Sequence, residues 1–195
     1  MDIILIRHTE PAIAPGICYG ALDVPVRMPY APTVVHLTQT LEMLLTEGTL
    51  ATVPTRWLAS PAQRCTSLAS QLATQGAEIE PALREIDFGE WEGLAWDTIP
   101  RAELDAWAAD VMRYRGHGGE SAATMHARVT RWADSLPLAD THTLAVVTHA
   151  GVIRQLAAHW LGHPLQTVLG WPLAYGTVTV FRLDAAGATL RVWNR

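Results

Sequence analysis

Three short stretches of the chain hold side chains suited to gripping and moving a phosphoryl group: Arg7-His8-Thr9, Arg64, and His149-Ala150-Gly151. Arginine stays charged at any physiological pH, and its planar fork binds two phosphate oxygens at once. A neutral imidazole is a competent nucleophile near pH 7. Phosphoryl transfer depends mainly on positioning and on stabilising charge at the equatorial oxygens, which two such forks supply. An acid for the leaving oxygen is still required. The stretch Arg84-Glu85-Ile86-Asp87-Phe88-Gly89-Glu90-Trp91-Glu92-Gly93 offers four carboxylates. Like charge and burial beside a bound phosphate favour the protonated carboxyl that a general acid needs.

Each group alone has an ordinary structural reading. A histidine after a strand is more often a hydrogen-bonded core residue, Arg64 alone reads as a helix-surface residue, and Glu90 and Glu92 read as a solvated turn. The elements that carry these groups change that balance. Residues 3–6 are apolar on both faces, as in a buried central strand. Residues 55–59 and 143–148 are further strands, and 177–181 with 189–193 read as a hairpin at the sheet's edge. Helical stripes run through 33–47 (Val34, Leu37, Leu41, Leu44, Leu45) and 121–136 (Met125, Val129, Trp132, Leu136). Ser60-Pro61-Ala62-Gln63 reads as a capping box with proline at the first helical position, which puts Arg64 in that helix's first turn. Alternating strands and helices predict an α/β layer fold. In such sheets ligands collect at the carboxyl ends of the strands, beside unpaired N–H groups of helix N-termini. Parallel neighbouring strands would bring two arginines and two histidines to one spot.

The bulk numbers are compatible. A chain of 195 residues suits one domain with a real core. A net charge of −5 argues against a nucleic-acid-coating surface. All 14 basic residues are arginine, a bias attributed to genome composition and given no functional weight. Cys18 and Cys65 form neither a disulfide framework nor a metal-ligand cluster. No apolar run approaches the roughly 20 residues of a membrane span, and the short apolar start meets Arg7 too soon for a signal peptide. A cytoplasmic protein without membrane or nucleic-acid partners is expected.

The motifs together resemble the histidine phosphatase superfamily, also called phosphoglycerate-mutase-like. Leu5-Ile6-Arg7-His8-Thr9-Glu10 resembles its Arg-His-Gly signature. Ser60 through Ala69 resembles its Ser-Pro-x-x-Arg block, Glu85 through Gly93 its Glu-x-x-x-Gly-x-Trp-Glu-Gly block, and Val147 through Arg154 its second-histidine block. Gly119-Glu120-Ser121 matches a further short motif. The resemblance implies His8 as a nucleophile that becomes phosphohistidine, Glu85 as proton donor, and Arg7, Arg64 and His149 as the phosphate-binding shell. Thr9, Cys18, Tyr19, Gly20 and Ala150 are the further candidates for contact with phosphate or substrate. It also implies a three-layer α/β/α sandwich with a mostly parallel sheet, a small-molecule phosphate ester as partner, and no metal or cofactor.

Gly16 through Val26 looks most like the α-ribazole phosphatases of the cobalamin pathway. Thr9 replaces the commonest glycine, Ala14 an asparagine and Val26-Arg27 a Leu-Thr, all outside the catalytic set. The expected activity is therefore that of a phosphomonoesterase, with α-ribazole phosphate as substrate. The alternatives are a broad sugar-phosphate phosphatase, a phosphoglycerate mutase, and a catalytically silent binding module. Mutases of the family are typically longer, and silent relatives usually lack the nucleophile or an arginine. Residues 95–118 are the one candidate lid, an insertion in a single domain spanning 1–195. There Arg101, Arg113, Arg115 and His117 would grip a second anion or merely cap a helix, and Trp96 and Trp107 would stack on a ring or trim a core. Exposed tryptophans would support a homodimer.

Overall fold

A computed structural model describes residues 1–137 and 142–195. Six strands form one sheet: β1 (Asp2–Arg7), β2 (Pro54–Ala59), β3 (Glu78–Ile79), β4 (Thr143–Thr148), β5 (Val178–Asp184) and β6 (Gly187–Val192), in the order β3-β2-β4-β1-β5-β6. β4 pairs in parallel with both β1 and β2, and β2 in parallel with β3. β5 is antiparallel to β1 and to β6, so it alone runs against the rest. The mostly parallel sheet and the terminal hairpin at its edge are as the sequence predicts.

The strands' alternation sorts their side chains between two helical layers. Ile3, Leu5, Leu144, Val146 and Phe181 face α4 (Ala122–Asp134), α5 (Ala150–Leu161) and α6 (Leu165–Leu169). Ile4, Ile6, Ala145, Val147, Val178 and Val180 face α1 (Ala31–Thr46) and α2 (Gln63–Leu72). Fully burying one such isoleucine contributes about 1.5–3 kcal/mol. Both faces are covered, giving the three-layer α/β/α arrangement.

The helix over residues 33–47 begins two residues early, with Pro32 in its first turn. The helix predicted from Ser60 begins only at Gln63. Its expected capping box does not form, because the Ser60 hydroxyl lies 2.7 Å from His149 Nε2. Asp23 caps the helix from another loop instead, its Oδ1 accepting from the Gln63 amide at 2.7 Å. Arg64 nevertheless falls in the first turn, as predicted.

Residues 95–118 contain α3 (Arg101–Ala109) and fold over an aromatic cluster of Phe88, Trp91, Trp96, Trp107 and Tyr114. Trp96 and Trp107 stack on each other with ring centroids 6.0 Å apart. Their ring faces serve a small core rather than a ligand. Arg101 pairs with Asp105 and Arg113 lies near Asp110, while Arg115 donates to the Gly119 carbonyl. The side chains of Arg101 and Arg113 remain exposed. Of the eight tryptophans, Trp91 and Trp132 are buried and the other six are half-buried.

Candidate active site

β1, β4 and β2 end level with one another, since Arg7 pairs with Thr148 and Ala59 with Val147. The residues just beyond them therefore share one edge. The His8 amide donates to the Thr148 carbonyl at 2.9 Å, and the Ser60 amide to that of Val147 at 3.0 Å. His8, Arg64 and His149 are 2%, 0% and 0% exposed. The two imidazoles meet edge to face, with centroids 5.1 Å apart.

His8 Nδ1 lies 2.6 Å from the Thr9 carbonyl oxygen. A carbonyl only accepts, so Nδ1 carries the proton and a neutral ring keeps its lone pair on Nε2. Burial, and then the Arg64 charge, push the His8 imidazole down to about 3 despite the Thr9 carbonyl's opposing pull; Arg7 adds to the lowering. Burial and the neighbouring His8 and arginines hold His149 neutral too. The His8 ring is thus neutral, with its proton on Nδ1 and a free lone pair on Nε2.

The arginines are anchored on backbone carbonyls. Arg64 donates Nη1 to Leu22 at 2.8 Å and Nη2 to Gly20 at 2.6 Å. Arg7 donates Nη1 to Leu173. The Nε groups of both are buried without a protein partner, as is the Thr9 hydroxyl. Donors left in that state cost free energy unless a ligand takes them. A phosphate fits that need in number and charge.

Glu85 stands where Thr148 and α5 can place it. The Thr148 hydroxyl donates to the Leu83 carbonyl at 2.8 Å, and Arg128, paired with Glu120 at 2.8 Å, donates to the carbonyls of Ala82 and Arg84. This explains the Gly119-Glu120-Ser121 motif: Glu120 orients the brace and Ser121 caps α4, accepting from Thr124. The Glu85 carboxylate accepts from the Ile86 and Gly151 amides, each at 3.0 Å. The helix-start amides of Gly151 and Gln63 are therefore spent on Glu85 and Asp23, not left free as the sequence led us to expect. Glu85, Arg64 and His149 line a cavity of about 220 Å³ together with Gly20, Asp23, Pro61 and Arg84. A larger cavity of about 860 Å³ opens near Pro54–Trp57, and none of these catalytic candidates lines it.

Among the other candidates, Thr9, Tyr19, Gly20 and Ala150 lie at this edge, and Cys18 does not touch it. Cys18 is fully buried with Trp91 and Ile99, and burial raises its thiol to about 12, so the expectation of substrate contact is corrected. Gly20 acts through its carbonyl, and a Cβ there would lie 2.0 Å from the Ile86 oxygen. Glu90 is exposed, but Glu92 is no solvated turn residue. It accepts from the amides of Ala21, Leu22 and Phe88, and so holds the loop whose carbonyls anchor Arg64. Sequence reasoning missed Ser60, Asp23, Glu92 and Tyr175. For Tyr175 a signal existed: an antiparallel strand beside β1 must begin where β1 ends.

Two buried neutral imidazoles make stability depend on pH. Both folded-state pKa values lie below the unfolded value of about 6.5, so between there and about 3 the unfolded chain binds more protons. The contribution is complete above pH 6.5 and falls as the medium is acidified, with a limiting slope of about 1.4 kcal/mol per pH unit for each ring. Thermal melts of the ligand-free protein should show this loss between pH 6.5 and 4, and His8→Gln should reduce the slope. A pH-independent melting temperature over that range would contradict neutral burial.

A family model described as the histidine phosphatase superfamily (branch 1) matches residues 3–195. The glucosyl-3-phosphoglycerate phosphatase of Mycolicibacterium vanbaalenii is 31% identical over 127 residues, 59% of this chain and 54% of that protein. The adenosylcobalamin/alpha-ribazole phosphatase of Escherichia coli is 27% identical over 121 residues, 60% of each chain. The chain thus matches little more than half the length of these relatives. The crystal structure of the alpha-ribazole phosphatase from Shigella flexneri shares the fold, with a TM-score of 0.86, 24% identity, and coverage of 100% of this chain and 96% of that one. With the family model spanning almost every residue, the chain belongs to the histidine phosphatase superfamily, branch 1.

Proposed function

We propose that the protein is a phosphomonoesterase that works through a phosphohistidine on His8, with α-ribazole phosphate as its substrate. The observation that carries the chemistry is the His8 ring. It is buried and neutral, its Nδ1 is fixed on the Thr9 carbonyl, and it stands at the strand edge that holds Arg7, Arg64 and His149. In the first step His8 Nε2 bonds to phosphorus while the ester P–O bond breaks, and the leaving oxygen takes a proton from Glu85. In the second, water attacks the phosphorus, Glu85 takes the water's proton, and the N–P bond breaks to release orthophosphate. In this reading the unpaired Nε donors of Arg7 and Arg64 would take equatorial oxygens in both transition states.

The substrate assignment rests on Gly16 through Val26 and on the E. coli relative. A broader phosphatase acting on sugar-linked phosphates is the second reading, supported by the M. vanbaalenii relative. A panel of phosphomonoesters separates them. A kcat/KM for α-ribazole phosphate at least about a hundredfold above that for sugar phosphates, a difference near 2.7 kcal/mol, supports the first. Equal rates across the panel reject it and leave the general phosphatase.

A further inference from the structure

Two tyrosines stand beside the two phosphate-binding arginines. Tyr175 lies in the turn entering β5, and the Arg7 guanidinium rests on its ring, 3.7 Å from the centroid. Tyr19 lies in the loop before Gly20, with the Arg64 guanidinium 5.5 Å from its ring centroid. The two phenol oxygens are 2.6 Å apart, although 156 positions separate the residues in the chain. The Tyr175 ring also lies 5.6 Å from that of His8.

The turn that carries Tyr175 is itself tied to the site. The Gly176 amide donates to the carbonyls of Arg7 and His8, at 3.2 and 3.1 Å. Gly176 has φ +62°, and a Cβ there would lie 2.2 Å from Thr33 Cγ2, so glycine is needed on both counts. Contact with a ring face fixes the plane of a guanidinium without using any of its N–H donors. The carbonyl anchors do use donors: Arg64 gives Nη1 and Nη2, and Arg7 gives Nη1. The rings therefore add orientation while sparing the buried Nε groups.

We propose that Tyr19 and Tyr175 form a clasp that couples Arg7 to Arg64. The hydroxyl bond holds the two rings together, and the rings hold the two guanidinium planes at a fixed mutual angle for one tetrahedral anion. Both are positioning residues. The inference rests on reading the pocket as a phosphate site, and it extends that reading by making the two arginines a unit.

A single shared bond has a distinctive signature, because removing either hydroxyl breaks it. Calorimetric titration with orthovanadate should show Tyr19→Phe and Tyr175→Phe each weakening binding by about three- to tenfold. The double variant should be no weaker than either single one. Tyr175→Leu also removes the ring against Arg7 and should weaken binding by a further three- to tenfold or so. Melting temperatures of the phenylalanine variants should stay near that of the parent, since the rings and their packing remain. Variants that bind like the parent, or losses that multiply in the double variant, would overturn the clasp. A parent protein that binds no vanadate would overturn the phosphate-pocket reading itself.

Discussion

Replacing His8 with alanine is expected to lower turnover by about four orders of magnitude or more, the scale seen when a covalent nucleophile is removed. The variant should still bind orthophosphate, because Arg7, Arg64 and His149 keep their anchors on Leu173, Leu22, Gly20 and Ser60. A rapid quench with labelled substrate checks the intermediate directly. The parent should carry a label that survives alkali and is lost in acid, as a phosphoramidate bond is, and His8→Ala should carry none. Turnover within tenfold of the parent would remove His8 from the nucleophile's role.

Glu85→Gln is expected to act selectively. Esters with alkyl leaving groups should slow by about 10²–10⁴, because the departing alkoxide needs a proton. An activated aryl phosphate, whose phenolate leaves unaided, should slow by less than about tenfold in its first step. Equal slowing of both would show that Glu85 is not the acid. The fold should tolerate the change at a cost of about 1 kcal/mol, since the amide's oxygen can replace only one of the two contacts to Ile86 and Gly151.

Much of the frame is legible in the amino-acid sequence. Ile3 through Ile6 are apolar without a break, which only a strand covered on both faces requires, and β1 is such a strand. Arg7, Arg64 and His149 could be brought together because each stands at or just beyond the end of a strand, and parallel neighbours put those ends side by side. β3 escaped notice because its two residues are too few to show any period. The capping pattern at Ser60 misled for a different reason. Its hydroxyl has two local uses, and the distant His149 outcompetes the helix's own amides. Asp23 and Glu92 were invisible for the same underlying cause. Each acts on a partner at least 40 positions away or through a backbone group, and neither leaves a local pattern. The tryptophans of residues 95–118 showed the opposite failing. Their composition suggests a binding face, and only packing reveals that they bind one another.

The distances along the chain between bonded partners carry one more consequence. Arg7 is anchored 166 positions away, Glu85 meets Gly151 across 66, and Tyr19 meets Tyr175 across 156. No local segment of the polypeptide can make these long-range contacts by itself, and closure of such long loops is slow in folding. A nascent chain that ends just after α5 holds Arg7, His8, Arg64, Glu85 and His149 but still lacks the Leu173 carbonyl that anchors Arg7. The geometry of the site is therefore a property of the completed sheet, and phosphatase activity is expected to return only at the end of refolding rather than at any stage within it.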